Sequence, residues 1–360
     1  EFSGGAITFT RRPNGALYIA FGPEGAPPDI IIQPPPLNET LEQRVARVLD
    51  SMEGAFKPVG AGGRLRELSA RGAQLTLIDE ASGGRWTADA ANLDLARRGR
   101  SLTLSANAEL EGAEGKAPAS LHITTDTRFQ SAVIEFGAEN ARPRALFSQA
   151  ALGPIAALDA PVTMNISVGL DRQAGVNRFE GDVIIGQGSA AMPGDNYNLS
   201  GGRLHGRYDI ESDELIIDQI SLAGDRTRVG GDIRVRDVSA IMRAAPNEPA
   251  AFNITLPSMR LEVPGTFSEP LAFSNVQIVG SIISGQRTIN FTRLAARTGE
   301  GAFNGAGRVY WADVDGRAHM GLQLQGAVDG ALEARDVLHM WPVGLGESAR
   351  EYLARTIISG

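Results

Sequence analysis

The sequence has no cysteine. Disulfides, thiolate zinc sites, iron–sulfur clusters and cysteine nucleophiles are therefore excluded. No apolar run approaches the ~18 residues of a membrane span, and no charged-then-apolar leader opens the sequence. Histidine is scarce, with only His122, His205, His319 and His339. No two stand at metal-ligand spacing, and three lie in or beside alternating runs, where a solvated strand face is the expected place. Basic charge is also short: Lys and Arg number 34 against 42 Asp and Glu, for a net charge of −8, and the arginines are scattered. A nucleic-acid partner needs a concentrated basic face, so none is expected.

Catalytic patterns are equally thin. The sequence has no Walker loop, dinucleotide fingerprint or acidic calcium nonapeptide. Gly186-Gln187-Gly188-Ser189 lacks the G-x-S-x-G order of a nucleophile elbow and reads as a turn. The acidic pair Asp79-Glu80 suits a glycosidase only if two carboxylates face each other across a cleft, and 42 acidic residues produce such neighbours by chance. The expectation is a protein that is not an enzyme, with no catalytic residue, no metal and no cofactor. Five Asn-x-Ser/Thr sequons, at Asn38, Asn165, Asn198, Asn253 and Asn290, are what β-rich sequences readily produce.

Glycine is abundant instead, 43 of 360 residues, spread between short apolar runs. Such spacing suits many strands joined by tight turns. Two-residue alternation is the dominant periodicity. In Val162–Leu170, the residues Val162, Met164, Ile166, Val168 and Leu170 share one face, and Thr163, Asn165, Ser167 and Gly169 share the other. Similar runs occur at 101–106, 120–124, 252–256, 259–263 and 322–325. Helical periodicity is rare. Asn38 fits an N-cap, after which Leu41, Val45, Val48, Leu49 and Met52 form one stripe that Gly54 is expected to stop. The expected organisation has three parts. Residues 1–36 form an N-terminal hairpin and a proline-rich corner. Residues 37–333 form a repetitive β body with short helices near 39–53, 143–151 and 238–244. Residues 334–360 form a C-terminal helical segment. The opening Glu1-Phe2 and the close at Ser359-Gly360 suggest a piece of a longer chain.

An internal repeat is visible. Leu215-Ile-Ile-Asp-Gln-Ile-Ser-Leu aligns without gaps on Ile289-Asn-Phe-Thr-Arg-Leu-Ala-Ala. The same offset places Val229-Gly-Gly-Asp-Ile-Arg-Val on Phe303-Asn-Gly-Ala-Gly-Arg-Val. The regular strand spacing suggests a sheet that grows by addition. Its apolar face must be covered, and the helices are too few for that. Two architectures stay open: a second sheet packed on the first, or a sheet curled into a trough. In the trough, Met164, Ile166, Val168, Ile289, Phe291, Leu322 and Leu324 are the lining candidates. Parity places them on one face within each strand and does not say that the faces of different strands coincide.

The segment Leu65-Arg-Glu-Leu-Ser-Ala-Arg-Gly-Ala-Gln-Leu-Thr-Leu-Ile-Asp-Glu, followed by Gly83-Gly-Arg-Trp, resembles a recurring segment of the AsmA-like family of large bacterial envelope proteins. The closing Val337-Leu-His-Met-Trp-Pro, then Ala349-Arg-Glu-Tyr-Leu and Ile358-Ser-Gly, is similar to the terminal signature of the YhdP type within that family. Trp341, Pro342 and Arg350 match it, and Tyr352 stands where Trp is usual. The resemblance implies a mainly β fold, an extended and twisted antiparallel sheet curled into a groove, with a few short helices including the C-terminal segment. It implies a periplasmic protein held to the inner membrane by an N-terminal anchor, whose apolar groove shields phospholipid acyl chains in transit to the outer membrane. The partners it implies are those acyl chains, the inner membrane and other envelope proteins. For Trp341, Pro342, Arg350 and Tyr352 the expected role is structural. The alternative function is a β-sandwich scaffold of the envelope that binds no lipid.

Overall fold

Alternation becomes strand along most of the chain. The computed structural model describes residues 2–34, 41–56, 66–112, 115–143, 158–192, 195–242, 247–262, 267, 269–299, 301–314, 317–330, 338–339, 343 and 347–356. The protein is mainly β, with open and largely antiparallel sheet and few short helices. It divides into two units, Glu1–Ala190 and Ala191–Gly360.

The first unit begins with β1 (Phe2–Ser3), β2 (Ala6–Arg11), β3 (Leu17–Ala20) and β4 (Ile30–Ile32), followed by helix α1 (Leu41–Phe56). The long strands β5 (Glu67–Asp79), β6 (Gly84–Arg98), β7 (Ser101–Gly112), β8 (Gly115–Asp126) and β9 (Ser131–Ala141) follow as an antiparallel meander. After β10 (Leu158–Asp159), strand β11 (Val162–Asp171) pairs with β9 on one side and β12 (Gly175–Ile185) on the other, and β13 (Gly188–Met192) pairs with β10.

The N-terminal strands depart from the antiparallel expectation: β1 and β2 pair with β5 in parallel. A parallel neighbour needs a crossover connection, and here the route from β4 to β5 includes α1. Helix α1 runs past Gly54 to Phe56, and its expected cap Asn38 lies outside the described residues. The expected stripe is used in part: Val45 and Leu49 are buried with Leu95, Leu102, Phe129, Ala132 and Leu170, and Met52 packs beside them, but Val48 is 40% exposed. Arg172, in the β11–β12 turn, places Nη2 2.8 Å from a Glu53 oxygen and 2.9 Å from an Asp50 oxygen, tying the helix to the sheet. Gly175, at φ +78°, lets the helix close in, because a Cβ there would sit 3.1 Å from Glu42 Cγ.

The turn from β8 to β9 anchors this core. The Asp126 carboxylate accepts hydrogen bonds from the backbone N–H groups of Arg128 (2.7 Å), Gln130 (2.9 Å) and Ser131 (3.0 Å). These bonds support Phe129 at φ +53°, a left-handed conformation costly for a bulky residue, and Phe129 is only 1% exposed. Burial raises the Asp126 pKa, but the backbone donors outweigh it and hold the carboxyl below its ordinary value of 3.8. A depressed folded pKa gives stability that is complete above the ordinary value and lost as pH falls through the folded one. Asp126→Asn leaves at least one of the three N–H groups without an oxygen and turns an NH2 donor toward it. It is expected to cost about 1–3 kcal/mol at pH 7, with the gap from wild type closing below pH ~3.8. Hydrogen exchange of the β8 and β9 amides, compared between wild type and variant at pH 7 and pH 3 with the intrinsic rates at each pH taken out, checks this, and an unchanged gap would refute it.

The second unit is a meander of β14 (Asp195–Asp209), β15 (Glu214–Gly224), β16 (Thr227–Arg236), β17 (Ala250–Leu261), β18 (Leu271–Ile283), β19 (Thr288–Thr298), β20 (Gly301–Val314) and β21 (Arg317–Asp329). Helix α2 (Val238–Met242) sits between β16 and β17. Asp213 accepts hydrogen bonds from the Ser239 N–H (3.0 Å) and Oγ (2.7 Å), and Val238 and Ile241 pack on Val235, Ala250 and Phe252. Helix α3 (Glu347–Thr356) carries Arg350 and Tyr352. The helix expected near 143–151 falls on residues that are, past Pro143, outside those described.

Candidate functional site

Register decides what parity alone left open. In the first unit, directly paired residues form a cross-strand row Leu68–Leu95–Leu104–Ile123–Ile134–Val168–Phe179 over β5, β6, β7, β8, β9, β11 and β12. Two positions along each strand a second row runs Ala70–Leu93–Ala106–Leu121–Phe136–Ile166–Gly181. The intervening row, on the other face, is Ser69–Asp94–Ser105–His122–Glu135–Ser167–Glu180. Paired residues share a face, so seven strands segregate apolar from polar without a break.

The two apolar rows meet different cores. Several members of the first pack against the core that α1 completes. In the second, Leu93, Leu121, Phe136 and Ile166 are half-buried, and Phe136 and Ile166 pack against a separate core of Ala117, Ala138, Ala141, Val162 and Met164. Gly181 is the low point of that row. A Cβ there would lie 3.6 Å from the Phe179 ring and 3.9 Å from Ile166 Cγ1. At roughly 4.8 Å per strand, the row extends about 29 Å along the sheet.

The second unit repeats the scheme. One row is Leu215–Val235–Phe252–Gly280–Phe291–Gly307–Leu324, and another is Ile217–Ile233–Ile254–Ile278–Leu294–Gly305. A third joins Ala250–Ile282–Ile289–Val309–Leu322. Glycine alternates with large side chains in the first of these rows for a steric reason. A Cβ on Gly280 would come 2.6 Å from the Phe252 ring, and one on Gly307 would come 3.2 Å from Leu324 Cδ1. The rings of Phe252 and Phe291 meet edge to face, 6.1 Å between centroids and 81° apart.

The lining candidates therefore fall into two sets. Met164, Ile166 and Val168 share one face of the first unit: Met164 is buried beside Ala138 and Val162, Val168 leans on the α1 core, and Ile166 lies between them. Ile289 and Leu322 occupy one row of the second unit, and Phe291 and Leu324 occupy another; Leu324 is 55% exposed. On α3, Tyr352 is 66% exposed and Arg350 is half-buried, and Trp341 and Pro342 lie outside the described residues.

Sequence reading passed over Leu121, Phe136, Phe252, Ile254 and Ile278 as row members. Leu121, Phe252 and Ile254 fall in the alternating runs 120–124 and 252–256, but joining Leu121 to Phe136 and Ile254 to Ile278 takes the register. The internal repeat carries a different signal. Its spacing of i, i+2, i+5 and i+7 is alternation with one extra residue, the mark of a β-bulge. Register shifts fall between Ile217 and Ile220 and between Phe291 and Leu294. In both places the residue after the bulge pairs with a glycine, Ile220 with Gly231 and Leu294 with Gly305. The bulge keeps apolar side chains on one face where strict alternation would turn them over.

Polar candidates from the sequence are engaged structurally. Asp79 bonds Arg11 (3.2 Å) and Ser82 (2.7 Å), and Glu80 bonds Arg12 (2.5 Å), which ties β2 to the end of β5. The Ser82 hydrogen bond, the largest influence, holds the Asp79 pKa low. His122 Nδ1 lies 2.8 Å from Ser105 Oγ in the polar row. His205 Nδ1 lies 2.7 Å from Asp218, whose pKa that hydrogen bond lowers. Ser189 lies within β13, opposite Asp159. Among the described residues no three His, Cys, Asp or Glu side chains gather as a metal site, and no helix is long and apolar enough to cross a membrane.

No family model, curated protein or solved structure matches the chain.

Proposed function

We propose that this chain is a periplasmic segment of an AsmA-like protein of the YhdP type, tethered to the inner membrane, whose apolar sheet face shields phospholipid acyl chains between the two membranes. The observation that carries this reading is the row Leu93–Ala106–Leu121–Phe136–Ile166, unbroken across neighbouring strands and half-buried. It runs across the strands, so a chain moving along it passes from one strand to the next without meeting a polar side chain. Apolar surface removed from water is stabilised by about 25 cal/mol per Å², or about 0.8 kcal/mol per methylene. The phosphate of a bound lipid stays in water beyond the apolar rows. The terminal resemblance supports the envelope location and the anchor.

A photocrosslinking residue at Ile166 or Phe291, in the full-length protein in cells, is expected to capture phospholipid. The control is Asn165, next to Ile166 and exposed on the opposite face. Equal lipid yield at Ile166, Phe291 and Asn165 would refute the reading and favour the scaffold, in which protein covers the face.

A further inference from the structure

The arginines scattered in the sequence gather on the polar face of the second unit. Directly paired residues form the row Arg203–Ser221–Gly230–Ser258–Ser274–Arg297 across β14 to β19. Beside it runs Ala223–Arg228–Arg260–Ala272. Neither row contains an acid. Arg203, Arg228, Arg260 and Arg297 are all exposed, as are Ser221, Ser258 and Ser274. The side chains of Arg228, Arg260 and Arg297 make no hydrogen bond or ion pair among the described residues. Ser200, Arg203, Ser221 and Arg228 line a shallow depression of about 380 Å³.

Two features set this block apart from ordinary surface charge. Arg228 and Arg260 are direct cross-strand partners, and like charges placed so destabilise a sheet. The protein carries net charge −8, yet its acids stand around the block, not in it: Asp225, in the β15–β16 turn, bonds Asn198 at 2.9 Å. Asp232 is one pair further along β16, and Glu262 lies beyond Arg260, beside Arg226 at 3.8 Å. Gly230 opens the floor between Ser221 and Ser258. Guanidinium groups match phosphate oxygens with paired N–H donors, and hydroxyls from the serines supply further donors.

We propose that this block is a phosphate-binding site, with Arg228 and Arg260 as its central clamp and Ser221 and Ser258 as supporting donors. Arg203 and Arg297 each stand two and a half strands from the clamp's midpoint, roughly 12 Å at ~4.8 Å per strand. The site thus suits a ligand with several phosphates, whether carried on lipid headgroups or on a soluble molecule. It lies on the face opposite the apolar rows and does not rest on the acyl-chain reading.

The test is calorimetric titration of the protein with inorganic pyrophosphate at low and physiological salt. Saturable binding is expected, weakened about tenfold or more in the double variant Arg228→Gln, Arg260→Gln through loss of charge-assisted hydrogen bonds. Arg234→Gln, on the same face of β16 but outside the block, is expected to leave binding unchanged. Without ligand the double variant should melt no lower than wild type, because a like-charge pair has been removed, so lost binding is not lost folding. No saturable binding, or equal weakening by Arg234→Gln, would overturn the proposal. A flotation assay with phosphatidylcholine vesicles, with and without phosphatidylglycerol, then assigns the source. Flotation that needs phosphatidylglycerol and is lost in the double variant supports a headgroup ligand, and pyrophosphate binding without flotation supports a soluble one.

Discussion

Leu49→Ala is expected to destabilise the first unit by about 2–5 kcal/mol, the range for truncating a fully buried leucine. Leu49 is 0% exposed and sits where α1 meets Leu95, Leu102, Phe129 and Leu170. The cavity cannot easily collapse, because its walls belong to hydrogen-bonded strands and to a helix tied down by Arg172. Hydrogen exchange of the β9 and β11 amides measures the loss within this unit, which a single unfolding midpoint of a two-unit chain would blur. Protection unchanged by Leu49→Ala would mean that α1 adds nothing to the sheet beneath it.

Ile166→Asp carries the opposite signature. Ile166 and Val168 share one strand face and are both half-buried, but Val168 packs on the core that α1 completes, whereas Ile166 packs on a core of Ala138, Val162 and Met164 that includes no described helix. An aspartate there keeps water on its exposed side, so the stability cost should stay near 1–2 kcal/mol, below that of Leu49→Ala. The functional cost should be large. A carboxylate in the middle of the row must be desolvated by any acyl chain that crosses it. Lipid crosslinks from a probe at neighbouring Phe136 are expected to fall about tenfold, the effect of some 1.4 kcal/mol. If Ile166→Asp instead unfolds the unit as thoroughly as an aspartate at Leu49, protein rather than lipid covers the row, and the scaffold reading takes its place. The pair of substitutions thus separates the apolar surface that makes the fold from the apolar surface left for a ligand.

Much of this was legible in the sequence. Strict alternation in Val162–Leu170 named both faces of β11, and the stripe of Val45, Leu49 and Met52 marked the buried side of α1. Periodicity reports a residue's face because side-chain direction is set by local backbone geometry. Other features were out of reach. Parallel pairing of β2 with β5 depends on a crossover that no local pattern encodes. Phe129 at positive φ is held by the Asp126 carboxylate across the turn, which composition does not reveal. The repeat was visible as an alignment, but its meaning, a bulge opposite a glycine, needed the partner strand.

By itself, then, the sequence determined that strands dominate, that each has one apolar face, and that cysteine chemistry is excluded. These follow from composition and from a period of two, which are local properties. Only the tertiary structure decided which faces coincide. It aligned Leu121, Phe136 and Ile166 into one row, and it brought Arg228 opposite Arg260 from 32 positions away. Register is a relation between distant segments, set by bulges and turns acting together, and a one-residue slip would send every side chain of a strand to the other side.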